Sequence, residues 1–294
     1  MAPIAPIDAL LIALAAVWGA LAGAMLPRAV YRFSVESEDA GPEDAGPEDA
    51  GPEDAGPEDA ELGDAELGDA GPEDADLEDT GDDAGWRRSC PGGHPLRGWL
   101  GPARCPGCPG TSPLYGSGAL RLCLVTSLLC VGLALATGIR PELAVWLLLA
   151  PVGVLLGAVD LRVKRLPDPL TLPLAAVALS LLGVAALLPE HAGDWTTALL
   201  GALALSAGYL VLHLINPGGM GFGDVKLALG AGAVLGWYGW ATVMLGTLAA
   251  FLSGALYGGA LLLARRAGRR TAIPFGPFLI AGVYAGVVMG AYAA

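Results

Sequence analysis

Basic residues are sparse in this chain, 16 Lys and Arg in 294 residues. They form no continuous patch, so the footprint a nucleic acid needs is missing. No glycine-rich cofactor motif is present. No basic stretch precedes the first apolar segment, Ile4 to Met25, which counts against a cleavable signal and predicts a retained first span with its N-terminus outside. The two halves share no repeat symmetry, which counts against a transporter built from inverted repeats. Cysteine is also scarce, with five in all. Cys123 and Cys130 fall in an apolar stretch and read as small buried hydrophobes.

What is abundant is apolar residue, 54% of the chain, with a mean hydropathy of +0.58. It falls in blocks of about 17–25 residues, the length of a helix crossing a hydrocarbon core. The expected fold is therefore all-α, a polytopic helical integral membrane protein held in the lipid bilayer. The predicted spans are 6–26, 119–138, 142–159, 169–188, 195–215, 224–236, 238–264 and 272–292. Eight is the expected count and seven the alternative, because the sixth is short.

Of the 16 Lys and Arg, only Arg140 falls outside the loops that face inward on this map. Positive charge marks cytoplasmic loops, so the expected location is a bacterial inner membrane, with the N-terminus outside. The net charge of -13 comes mostly from one tract, Glu36 to Asp83, built on Gly-Pro-Glu-Asp-Ala repeats. Such a tract cannot bury enough apolar surface to offset its ordering entropy and is expected to be a disordered spacer. The chain thus divides into a first span with its flank (1–35), the acidic insert (36–84), a Cys/His loop (85–118) and the remaining spans (119–294).

Two aspartates stand out. Asp160 ends the third span, before Arg162, Lys164 and Arg165, and Asp224 begins the sixth in Gly-Met-Gly-Phe-Gly-Asp-Val-Lys. The topology puts both at the cytoplasmic boundary, where a carboxylate is costly and usually has a task. Two neighbouring carboxyls share a proton, leaving one as a base for water and one as an acid for a leaving amine. The plainer alternatives are an ion pair of Asp160 with its basic neighbours, and Asp224 as a helix cap or partner of Lys226. Gly221 and Gly223 flank Phe222 before Asp224, where they give room for an extended substrate.

These residues resemble a known family. Gly221-Phe-Gly-Asp224-Val-Lys226 is similar to the Gly-x-Gly-Asp signature of membrane aspartic proteases, in the form found in type IV prepilin peptidases. Asp160 with Leu166-Pro167-Asp168 resembles that family's first aspartate motif, and Ile273 to Phe278 its last-span motif. The resemblance implies that Asp160 and Asp224 are the catalytic pair, with Gly221, Gly223 and Lys226 in support. It implies prepilin or pseudopilin precursors as substrates, cut after a short basic leader on the cytoplasmic side. It also implies N-methylation of the new N-terminus with S-adenosylmethionine, an activity associated with the Cys/His loop. Asp168, between two prolines, is expected to start the fourth helix. His213 is expected to be a hydrogen-bonded packing residue.

The loop offers Cys90, His94, Cys105 and Cys108, three thiols and an imidazole suited to tetrahedral zinc. A cytoplasmic loop disfavours disulfides. Family members often carry two Cys-x-x-Cys pairs here, and His94 stands where the second cysteine of the first pair is expected. Cleavage itself requires no cofactor on this reading. The rival readings are an intramembrane presenilin-type protease, an aspartate-dependent transporter, and an inactive pilus or secretion assembly factor.

Overall fold

A computed structural model describes residues 6–35, 86–102, 104–105, 107–108, 118–217, 219–264 and 274–294. The acidic repeat, predicted to be a spacer, lies outside the described residues, as does Ile273 of the last-span motif. The described residues form eight helices: α1 (Pro6–Phe33), α2 (Ala119–Thr137), α3 (Glu142–Val163), α4 (Asp168–Ala185), α5 (Trp195–Ile215), α6 (Phe222–Gly236), α7 (Trp240–Leu263) and α8 (Gly276–Ala293). All except α6 are long and apolar enough to cross a membrane. Extended pairing among the described residues is limited to an isolated bridge between Ser89 and Pro95. The polytopic all-helical expectation holds.

The exposed faces explain the hydropathy. Leu10, Leu14, Val17 and Leu21 line the outside of α1, and Met244, Leu248, Leu252 and Leu256 the outside of α7. In lipid such surface carries no penalty, whereas unsatisfied backbone would, so each segment closes its hydrogen bonds within a helix.

The sixth helix is the exception that positions the site. Its 15 residues span about 22 Å, short of the roughly 30 Å hydrocarbon core. It is made largely of Gly and Ala and is buried through Leu227, Ala228, Gly230, Ala231, Ala233 and Leu235. It packs against α5, α4, α8 and α7, so it need not meet lipid along its length. Small residues allow this: a Cβ on Gly201 of α5 would stand 2.7 Å from the Gly232 carbonyl of α6. Close backbone approach replaces the hydrophobic effect as the source of cohesion between helices in lipid.

Several expected boundaries shift. The first helix continues to Phe33, seven residues past the predicted end of the apolar block, because the loop after residue 85 packs on its last turns. The third continues to Val163 and stops where Lys164 adopts a left-handed conformation, φ 52°. The fourth starts at Asp168, and Glu190 and Asp194 occupy the following turn, where Asp194 accepts the Thr197 N–H and caps α5 at 2.9 Å. Cys130 is fully buried, and the Cys123 thiol donates to the Ala20 carbonyl.

Candidate active site

The connection after α3 and the first residue of α4 lie against the start of α6. A Cβ on Gly223 would stand 3.0 Å from Leu166 Cβ, and Lys226 Nζ meets Asp168 Oδ2 at 2.6 Å. Asp160 and Asp224 are both buried there, 4% and 7% exposed.

Each carboxyl also sits at a helix N-terminus, where unpaired N–H groups and the macrodipole favour negative charge. The Gly276 N–H, at the first turn of α8, donates to Asp160 Oδ2 at 3.0 Å. Asp224 is the third residue of α6, and its N–H donates to the carbonyl of Gly221, the N-cap, at 3.1 Å. An acidic side chain in this first turn suits the helix macrodipole and is compatible with a chemical role, since its carboxylate keeps acceptor lone pairs.

The remaining expected site residues fall close by. Gly221 leaves open space over Asp224: a Cβ there would lie 3.8 Å from Oδ2, an ordinary contact. Lys226 pairs with Asp168, whose side chain is 64% exposed, and stands 4.9 Å over the Phe222 ring. It holds α4 to α6 at the rim. His213 lies 2.8 Å through Nδ1 from the Met220 carbonyl and packs on Phe222, in the packing role expected of it.

Cys90, His94, Cys105 and Cys108 converge, with one ligand atom from each within 4.8 Å of the others. Cys90 and Cys108 sulfurs are 3.7 Å apart, and His94 Nδ1 lies 3.6 and 3.4 Å from them. A tetrahedral zinc site puts sulfurs about 3.8 Å apart and sulfur about 3.5 Å from nitrogen, given bonds of about 2.3 and 2.0–2.1 Å. The four side chains therefore fit zinc. Burial raises the Cys90 thiol, but hydrogen bonds from His94 and the Gly92 N–H outweigh it and bring it down to about 6.

Two residues that hold this loop were read in the sequence only as markers of orientation. Arg28 Nη1 donates to the Arg97 carbonyl at 2.8 Å, and Arg32 Nη1 to the Gly98 carbonyl at 2.8 Å. The Arg32 guanidinium lies 4.2 Å over the Trp99 ring, which also stacks on Phe33 at 5.3 Å. The available signal was the spacing: Arg28 and Arg32 are four apart and share one helical face.

The model of the type IV leader peptidase family matches residues 146–259, which include both aspartates. A "Prepilin leader peptidase/N-methyltransferase" of Aeromonas hydrophila is 38% identical over 200 residues, covering 64% of this chain and 63% of the relative. Proteins of the same name from Xanthomonas campestris and Escherichia coli K12 are each 36% identical, covering 54% of this chain and 55% and 70% of theirs. The chain thus spans less than two thirds of the Aeromonas relative. No solved structure matches. With 36% identity across 70% of the Escherichia coli relative, and the family match lying over α3 to α7, the chain belongs to the type IV leader peptidase family.

Proposed function

We propose that the chain is a membrane aspartic endopeptidase that removes the short basic leader from prepilin or pseudopilin precursors at the cytoplasmic face of the inner membrane. The observation that supports this reading is that Asp160 of α3 and Asp224 of α6 are both buried carboxyls, at helix ends, within the stretch that the leader peptidase family matches. One carboxyl, ionised, takes a proton from water as the water oxygen bonds to the scissile carbonyl carbon. The other, protonated, gives its proton to the departing amine as the C–N bond breaks. The Gly276 N–H fixes the Asp160 carboxyl for its part. The substrate's apolar helix remains in the bilayer, and its leader lies across Gly221 on the basic, inward side.

The transporter reading expects a polar path through the bundle. The cleft among α2, α3, α4, α6 and α8, about 120 Å³, is lined instead by Leu149, Gly153, Leu227, Gly230, Ile280 and Val283 among others, nearly all apolar. This favours the peptidase.

Zinc in the Cys/His loop would be structural, holding the loop against α1. N-methylation with S-adenosylmethionine rests on the printed names of the relatives, and we propose it as the second activity of this loop region.

The test is cleavage of a co-expressed prepilin in membranes by wild type, Asp160→Asn and Asp224→Asn. Both variants keep side-chain volume and lose the acid. Shortening by wild type alone, with both variants accumulating normally, supports the dyad. Normal cleavage by either variant removes that aspartate from the mechanism.

A further inference from the structure

One face of α5 runs along the first turns of α6, on either side of Asp224. Ser206 Oγ donates to the Val225 carbonyl at 3.2 Å, and His213 Nδ1 lies 2.8 Å from the Met220 carbonyl. Tyr209 stands between them, three residues after Ser206 and four before His213, on the same helical face. It is 1% exposed, and its hydroxyl has no hydrogen-bond partner among the described residues. A buried phenol left unpaired is costly, so the hydroxyl has a use. Val225, the residue after Asp224, accepts through its carbonyl from Ser206, one helical turn before Tyr209, and the Asp224 carboxyl has acceptor lone pairs to spare.

The ring of Tyr209 is tied to the other aspartate. It packs 6.0 Å from Phe275 and 5.7 Å from Phe251, which themselves lie 5.1 Å apart. Phe275 is the N-cap of α8, directly before the Gly276 N–H that donates to Asp160. The ring therefore packs beside the amide that orients one carboxyl, and its helix borders the turn that carries the other.

We propose that Tyr209 is a positioning residue for Asp224, its hydroxyl donating to the carboxyl through one water and holding it in the orientation required for proton transfer. This rests on the assignment of Asp224 to the catalytic pair. The other charged or titratable groups near Asp224 are Asp160 on α3, with the basic run 162–165 after it. Lys226 on α6 is held by Asp168 of α4, and His213 lies on α5. The neighbouring faces of α7 and α8 bring Phe251 and Phe275, with Tyr257 farther out against Phe278.

A phenol donating to a carboxylate stabilises its ionised form. Its removal makes Asp224 hold its proton to higher pH, so the cleavage profile moves in the alkaline direction. The experiment measures prepilin cleavage from pH 5 to 9 by wild type, Tyr209→Phe, Tyr209→Leu and Asp224→Asn, with membrane levels matched. Tyr209→Phe keeps the aromatic cluster and is expected to accumulate as wild type. Its kcat is expected to fall about tenfold with KM little changed, and its profile to shift to higher pH. Tyr209→Leu, which also removes the ring, is expected to lose more. A wild-type rate and profile for Tyr209→Phe overturns the proposal, and so does a rate loss with an unshifted profile, the mark of packing alone. If Asp224→Asn still cleaves, the dyad itself fails and the role of Tyr209 with it. If Asp224→Asn is inert and Tyr209→Phe is indifferent, only the hydroxyl's role fails.

Discussion

The Gly276 backbone N–H donates to Asp160 Oδ2 across 3.0 Å, joining residues 116 apart in sequence. A Cβ on Gly276 would stand 2.6 Å from that same oxygen. The close approach thus depends on glycine, and one hydrogen bond sets both the rotamer of a carboxyl and the seat of the last helix.

Gly276→Ala is expected to displace Asp160 while leaving the bundle assembled. A shift of about 1 Å at a reacting group costs about 10²-fold in rate. The expected result is a fall of that order in prepilin cleavage with normal accumulation in membranes. Gly221→Ala is the contrasting case, because its Cβ would make only an ordinary contact, 3.8 Å from Asp224 Oδ2. It is expected to accumulate as wild type, and its cleavage rate reports how closely the substrate passes Asp224.

The Lys226–Asp168 pair is short but half-open to solvent, and exposed ion pairs contribute about 0–1 kcal/mol. Asp168→Asn is therefore expected to retain cleavage within a few-fold of wild type, unlike Asp160→Asn. A loss as deep as that of Asp160→Asn would assign Asp168 a chemical role instead.

Purified protein is expected to carry one zinc per chain, measured by elemental analysis. Cys105→Ser and Cys108→Ser are expected to lose it, while His94→Cys retains it, since thiolate and imidazole both suit the metal. Limited proteolysis is expected to cut the 86–108 loop faster in the zinc-free variants, because ligand bonds contribute folding free energy there.

Arg32→Ala removes a charged hydrogen bond to Gly98 and the guanidinium over Trp99. Together these contribute about 1–3 kcal/mol. The loop is expected to open by that amount, read as faster hydrogen exchange or proteolysis confined to residues 86–102, with the helical bundle unaffected.

Much of this architecture was legible along the chain because the bilayer imposes a length and a polarity on every crossing segment. Seven of the helices announce themselves through continuous apolar blocks. The Gly-Phe-Gly-Asp motif and the Asp160 segment pointed to the dyad by type and order, and the Cys/His spacing to a metal site. Boundaries were less legible, because α1 gains its last turn from a loop some 60 residues later in sequence, and α6 survives its shortness through neighbours that cover it.

The sequence by itself determined the apolar helices, and it offered the two acids and the Cys/His ligand set as candidates, since hydropathy and residue chemistry are local properties. Tertiary structure alone decided that the Gly276 amide meets Asp160, that Lys226 turns to Asp168, that Arg28 and Arg32 pin the Cys/His loop, and that Tyr209 packs on Phe275 beside that amide. Those relationships join segments tens to over a hundred residues apart. They depend on which helical faces pack, a choice that a nearly uniform apolar surface leaves unmarked along the chain.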